Sequence, residues 1–414
     1  MLQPCGELRG HSDSINSLDA SSDGASLGLA SASDDGAVRL WDLASGRSTR
    51  AMMLPEGAAA QSVVLGRGEG PAAHCAFAAS DRTVCAYDLR APGIVLRQPA
   101  QRVGDAHDEV GQLALSEDGA FLAAADDAGT VHVFDLAAGR PPMVLHGHDT
   151  ICASVAFRPR RDLPPDGLGL QLCSGGMDAR CIHWDASTGR PVSEWALTPA
   201  EGGSAGQPGG GGGGGEGHEA GADYVAPTSF NPRFVHGLSY SPDGRAVAVA
   251  LGDGSLELRD ADTGGLLASR AAHRAAASQA LFTTLREPGA PLDGADRLVL
   301  LTAGDDRRLR LWAAEGLGAP RAAAADADAA STDGAAGKRR KGGPGGRAVT
   351  TARGGGGGGG GSGRRGASGG GPFVGLSPLG ETDLPDKPNW VAQVGSAVCV
   401  ADSSSVVRLY RVPQ

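Results

Sequence analysis

The chain has 414 residues, a formal net charge of -10, 41% hydrophobic and only 4% aromatic residues, and 67 glycines. That balance suits a large soluble β fold, and the acidic sign argues against a folded part that binds nucleic acid phosphates directly. No run approaches the 18 or so apolar residues of a membrane helix, and Met1 to Arg9 lacks the apolar core of a secretory signal.

The first organised stretch opens on Gly10-His11, passes Ser31 and the tight turn Asp34-Asp35-Gly36, and closes on Trp41-Asp42. Within it Ile15 to Leu18, Leu27 to Ser31 and Ala37 to Trp41 read as strands, and Ser48 to Leu54 as a fourth, outer strand. The residue types suggest a closed hydrogen-bond set. The indole N–H of Trp41 donates to the Ser31 hydroxyl, the hydroxyl donates to His11, and the other imidazole nitrogen donates to Asp35.

The unit recurs along the chain. Tyr87-Asp88 with Asp81, and Ala106-His107 with Phe134-Asp135, are weaker copies, and His148, Ser174, Asp178 and Trp184 form a second full set. His236 with Asp253 and Arg259-Asp260 is weak again, whereas His273, Thr302, Asp306 and Trp312 complete a third set, and Ser404 with Tyr410 ends the series. Seven exits predict an all-β, seven-bladed propeller in one domain over residues 1–414, with residues 1–9 supplying the last strand of blade seven. Without the Gly-rich stretches 201–222 and 315–380, roughly 47 residues remain per repeat, close to one blade.

Two insertions interrupt the repeats, and both are expected to be disordered: a Gly-rich loop over 201–222 and a basic, Gly-rich loop over 315–385. The second carries Lys338, Arg339, Arg340 and Lys341, a candidate nuclear localisation signal, alongside the plainer reading of a solvated spacer. Weak contact of that loop with nucleic acid is a third reading. Seven cysteines without a C-x-x-C pair read as reduced thiols, so nucleus and/or cytoplasm is the expected location.

The Ser-His-Asp groupings mimic a hydrolase triad, but each hydroxyl is already engaged by Trp and none sits in a G-x-S-x-G elbow. The matches at Gly202 to Gly206 and Gly366 to Gly370 lie in Gly-rich sequence. No enzyme, no cofactor and no metal are therefore expected, and the chain is read as a monomeric protein-binding scaffold.

His148 to Pro159, Ala124 to Gly129, Lys387-Pro388-Asn389-Trp390-Val391 and Val400-Ala401-Asp402 resemble the family of WD repeat-containing protein 53. That resemblance implies a WD-repeat β-propeller acting as an interaction scaffold. It also implies a candidate substrate receptor of cullin-RING ubiquitin ligases that use a damaged-DNA-binding adaptor. The family's Trp-Asp-x-Arg feature has its counterpart in Tyr87-Asp88-Leu89-Arg90, with Tyr for Trp, which makes Tyr87, Asp88 and Arg90 candidate adaptor contacts. Arg90 is read either as a head free for a partner or, more plainly, as a solvated turn Arg or an intrablade ion pair with a nearby acid. The other reading open to the scaffold is a subunit of a nuclear chromatin or RNA-processing complex.

Overall fold

The computed structural model describes residues 2–21, 28–67, 70–159, 169–197, 231–285, 297–317 and 375–411. Backbone contacts divide the chain into two units, Met1–Gly318 with Val374–Gln414, and Ala319–Phe373; the latter, with the 201–222 insertion and Lys338 to Lys341, lies outside the described residues.

Among the described residues seven sheets follow one another, each built on four antiparallel strands a to d. Blade one comprises Ile15–Ser21, Gly28–Ser33, Ala37–Asp42 and Arg47–Met53. Blade two comprises Ser62–Leu65, Cys75–Ser80, Thr83–Asp88 and Gln101–Asp105, and blade three Val110–Leu115, Phe121–Asp126, Thr130–Asp135 and Met143–His146. Cys152–Phe157, Gln171–Gly176, Arg180–Asp185 and Arg190–Ala196 form blade four, and Val235–Tyr240, Ala246–Leu251, Ser255–Asp260 and Leu266–Ala271 form blade five. Blade six takes Ala277–Leu285, Arg297–Gly304, Arg308–Glu315 and Gly375–Asp383. Blade seven takes Pro388–Val394, Ala397–Asp402 and Val406–Arg411, and its outer strand is Gln3–Arg9 from the other end of the chain.

The b strands are buried on both faces, as in Ala246–Leu251, so they read as continuous apolar runs, whereas the outer d strands keep few buried positions. This contrast explains a correction. The loop expected over 315–385 is too long at its end, because Gly375–Asp383 pairs with Arg308–Glu315 as strand d of blade six. Of its side chains only Leu376 is buried, and Gly375, Pro378 and Gly380 hide the strand in Gly-rich sequence.

Apolar clusters lie between neighbouring blades rather than in one central core. Trp41, Leu29 and Ile15 of blade one pack with Val394, Cys399 and Leu409 of blade seven, and Trp184 packs with Ala123, Val131 and Leu145 of blade three. The innermost strands have no strand neighbour on the axial side, and side chains meet part of that need. The amide of Val63 donates to Ser17 Oγ (3.3 Å), Leu113 to Ser62 Oγ (3.0 Å), Val155 to Gln112 Oε1 (2.9 Å) and Leu238 to Ser154 Oγ (3.0 Å). Four consecutive blade junctions are thereby linked near an axial channel of about 420 Å³. At the equivalent place in blade five stands Gly237, where a Cβ would lie 3.1 Å from Ser278 O.

Closure between the first and last segments of the chain rests on Leu8, fully buried among blade one and blade seven side chains, and on the ion pair of Arg408 with Glu7 at 2.8 Å. Leu8→Ala is expected to destabilise the protein by about 2–5 kcal/mol, whereas Cys5→Ala, at an exposed position of the same strand, should change little. Urea melts of the two variants check this, and equal midpoints would contradict the latch.

Candidate functional site

Each complete set of four residues comes together. In blade one the Trp41 indole donates to Ser31 Oγ at 2.8 Å, Ser31 Oγ lies 2.7 Å from His11 Nε2, and His11 Nδ1 lies 2.9 Å from Asp35. In blade four the corresponding distances are 2.8, 2.8 and 3.1 Å through Trp184, Ser174, His148 and Asp178. Blade six repeats them at 3.0, 2.9 and 2.8 Å through Trp312, Thr302, His273 and Asp306. Donor and acceptor roles follow from the network: the carboxylate requires a proton on Nδ1, so Nε2 accepts from the hydroxyl.

The local reasons are legible. The residue before each blade-one and blade-four His is Gly because a Cβ there would meet the indole, 3.0 Å from Trp41 at Gly10 and 2.7 Å from Trp184 at Gly147. Asp35 stands in the turn between strands b and c, followed by Gly36 at φ +77°, and also accepts the amides of Ser12 and Ala37. The network thus pins the entry loop of a blade to its b–c turn.

Burial lowers the pKa of His11, His148 and His273 from 6.5, against the opposing pull of their Asp partners. For Asp35 and Asp306 burial acts upward, but the His bonds and backbone amides outweigh it, so both carboxyls stay below the usual range, Asp306 at about 2. Asp178 is also lowered, through His148 and neighbouring donors. His183 in strand c of blade four has neither ring nitrogen hydrogen-bonded and is pushed by burial, then by Arg158, to about 4.

The weaker copies are wired differently. Tyr87 is fully buried and its hydroxyl donates to the carbonyl of Met53 in blade one at 2.8 Å. Arg90 leaves strand c of blade two on an exposed turn, with its side chain 68% exposed, and its guanidinium is held by Asp88 at 3.0 and 2.9 Å. The local ion pair is formed, and it leaves the Arg90 head at the surface. Past it, Val95–Leu96 adds a fifth, parallel strand to strand d of blade one, leaving Ile94 (73% exposed) and Val95 (45%) on the surface. That strand was not foreseen; the run Ile94-Val95-Leu96 between Pro92 and Pro99 was its signal. Blade three also holds an unforeseen set, in which the hydroxyl of Thr130 donates to Asp126 at 2.7 Å and His132 Nε2 lies 2.9 Å from the same carboxylate.

Seven four-stranded units closed by the first strand, three of them clamped by Trp, Ser/Thr, His and Asp, define a repeat propeller whose blades end on Trp-Asp or its variants. The family described as "WD domain, G-beta repeat" matches residues 2–42, 99–135 and 139–185, so these stretches are WD repeats in sequence as well as in fold. The chain is similar to the WD repeat-containing protein 53 homolog of Dictyostelium discoideum, 26% identical over 263 residues, or 61% of this chain; the match spans 64% of that relative's length. Its fold is similar to the WD40 beta propeller domain of Doa1, with a TM-score of 0.61 at 14% identity over all of this chain and 98% of that one. A WD40 propeller supports a protein-interaction scaffold, and the family is generally non-catalytic.

Two outcomes follow. Trp184→Phe removes the indole donor and leaves the Ser174 hydroxyl short of a partner, which should cost about 1–3 kcal/mol in urea unfolding; an unchanged midpoint would contradict the network. The lowered His pKa values mean that the unfolded chain takes up protons first as pH falls past 6.5, so their stabilisation is full above that value and lost on acidification. His183 carries the loss on towards about 4. Stability should therefore drop between pH 7 and 4, and a flat profile would count against the buried neutral histidines.

Proposed function

We propose that this scaffold is a substrate receptor of a cullin-RING ubiquitin ligase, docking on the ligase adaptor through the turn after strand c of blade two. The observation that carries the reading is the turn itself. Asp88 braces Arg90 from two residues away and leaves the guanidinium edge at the surface. Ile94 and Val95 expose apolar surface further along the same connection. A braced Arg beside apolar side chains is the arrangement in which a charge-assisted contact, once desolvated by a partner, contributes strongly. The similarity to the WD repeat-containing protein 53 homolog supports the same reading.

The tract Lys338, Arg339, Arg340 and Lys341 supports a nuclear location. A scaffold of a nuclear chromatin or RNA-processing complex is the competing reading that this tract favours.

Affinity purification followed by mass spectrometry separates the two. Recovery of a cullin-RING adaptor is expected, and Arg90→Ala should weaken it by roughly 30-fold, from about 2 kcal/mol at such a contact. Arg47→Ala, at the exposed first residue of strand d in blade one, should have no effect. Equal recovery with wild type and Arg90→Ala, or a different stable set of partners, would overturn the receptor reading. Replacing Lys338, Arg339, Arg340 and Lys341 by Ala should move a fluorescent fusion towards the cytoplasm, and an unaltered distribution would retire the signal.

A further inference from the structure

The three clamped blades differ at one position of their outer strands. Arg39, Ile182 and Arg310 of strand c lie opposite the clamp residues Ser31, Ser174 and Thr302, and their strand d partners are Ala51, Glu194 and Glu381. In blade six Glu381 holds Arg310 at 3.1 Å, and in blade four Glu194 holds Arg180, two residues before Ile182, at 2.8 Å. Each of these arginines also pairs with the clamp carboxylate, Asp306 at 3.3 Å and Asp178 at 2.8 Å, and donates to the carbonyl before the clamp histidine, that of Ala272 or Gly147. Blade one keeps the arginine and lacks the glutamate.

Arg39 is thereby left without a counterion. Among the described residues it makes no ion pair and no hydrogen bond, and its Nε is buried without a partner. Acids of the same neighbourhood are engaged elsewhere: Asp35 by His11 Nδ1 and the amides of Ser12 and Ala37, and Glu7 of the adjoining outer strand by Arg9 and Arg408. The residue is half-buried and only Nε is shut off from water, so the two Nη groups are its accessible end. The same sheet face continues as an apolar shelf. Val95 pairs with Ala51 in the fifth strand and so shares its face with Ala51 and Arg39, whereas Leu96 is buried with Met52 on the face towards blade two. Val95 is 45% exposed, and two strand spacings put it roughly 10 Å from Arg39.

We propose that this face of blade one docks an acidic segment of a partner protein, whose Glu or Asp carboxylate takes the role at Arg39 that Glu381 has at Arg310, while an apolar side chain of the same segment rests on Val95. The chain itself shows what this arginine position takes, since both other clamped blades supply a carboxylate from strand d. A guanidinium receives a carboxylate end-on through both Nη groups, in a charge-assisted pair stronger than a neutral hydrogen bond. The apolar shelf adds contact area that a free anion does not use, which favours a peptide as the occupant. The charge involved is that of Arg39 in strand c of blade one, so the site stands independently of adaptor docking through Arg90.

The test uses the full-length chain and a fluorescein-labelled peptide of alternating Glu-Glu and Leu-Leu pairs, read by fluorescence polarisation. Such a peptide, when extended, places Glu and Leu two residues apart on one face. Saturable binding that weakens with added salt is expected. Arg39→Ala should weaken it by about tenfold or more, and this variant carries the test by itself, since it removes a side chain with no partner to lose. Ala51→Glu supplies the carboxylate from within, as blade six does, and should suppress binding as well. Urea melts confirm that each variant is folded, and Arg47→Ala should bind as wild type does. Absence of saturable binding, equal binding of the peptide with Gln for Glu, or binding that Arg39→Ala leaves unchanged would overturn the proposal and leave Arg39 a solvated arginine only.

Discussion

A buried hydroxyl is the hinge of this architecture. Ser31, Ser174 and Thr302 are each without exposure, and each joins a Trp donor to a His acceptor across two strands and a loop. A buried hydroxyl left unpaired costs as much as the bond it fails to make, so the set stands or falls as a unit. What it fixes is the entry loop, and the entry loops and b–c turns together form one face of the ring. A scaffold needs that face rigid before it can present residues to a partner.

The ring has a second requirement, because innermost strands point unpaired backbone groups at the axis. Side chains of Ser17, Ser62, Gln112 and Ser154 take up amides of the next blade, so blades one to five are stitched by polar contacts as well as by apolar clusters. Closure repeats this logic by other means, with Leu8 in the apolar seam and Arg408 bridging buried Asp402 to Glu7 of the first strand. A chain that closes on itself in this way exposes no long sheet edge at its join.

The blade number and the three full networks were legible in the sequence because fixed spacings there encode a fixed geometry: ten residues from Ser31 to Trp41 is one hairpin. Strand Gly375–Asp383 was not legible, since an outer strand with one buried side chain carries no alternation to read. Val95–Leu96 escaped for a related reason, being a two-residue parallel addition made by a loop of blade two to blade one. The hydrogen-bonded set of Thr130, Asp126 and His132 could be recognised only once the strands were paired, because it departs from the repeat rather than following it. Surface residues such as Arg90 are the hardest case, for the same Tyr-Asp-x-Arg string is compatible with a free head and with the Asp88 pair the structure holds.

The repeat is not uniform from blade to blade. Blade two carries a braced Arg beside exposed apolar residues, and blade three an entry-loop histidine, His107, outside any Trp-Ser-His-Asp clamp, whereas the clamped blades supply the frame. That division depends on the clamp being cooperative, which a double-mutant cycle of Ser31→Ala and Trp41→Phe in urea unfolding measures directly. The account predicts a coupling energy of about 0.5–3 kcal/mol between the two sites. Strictly additive losses would contradict it, and would reduce the Trp41 indole to packing alone.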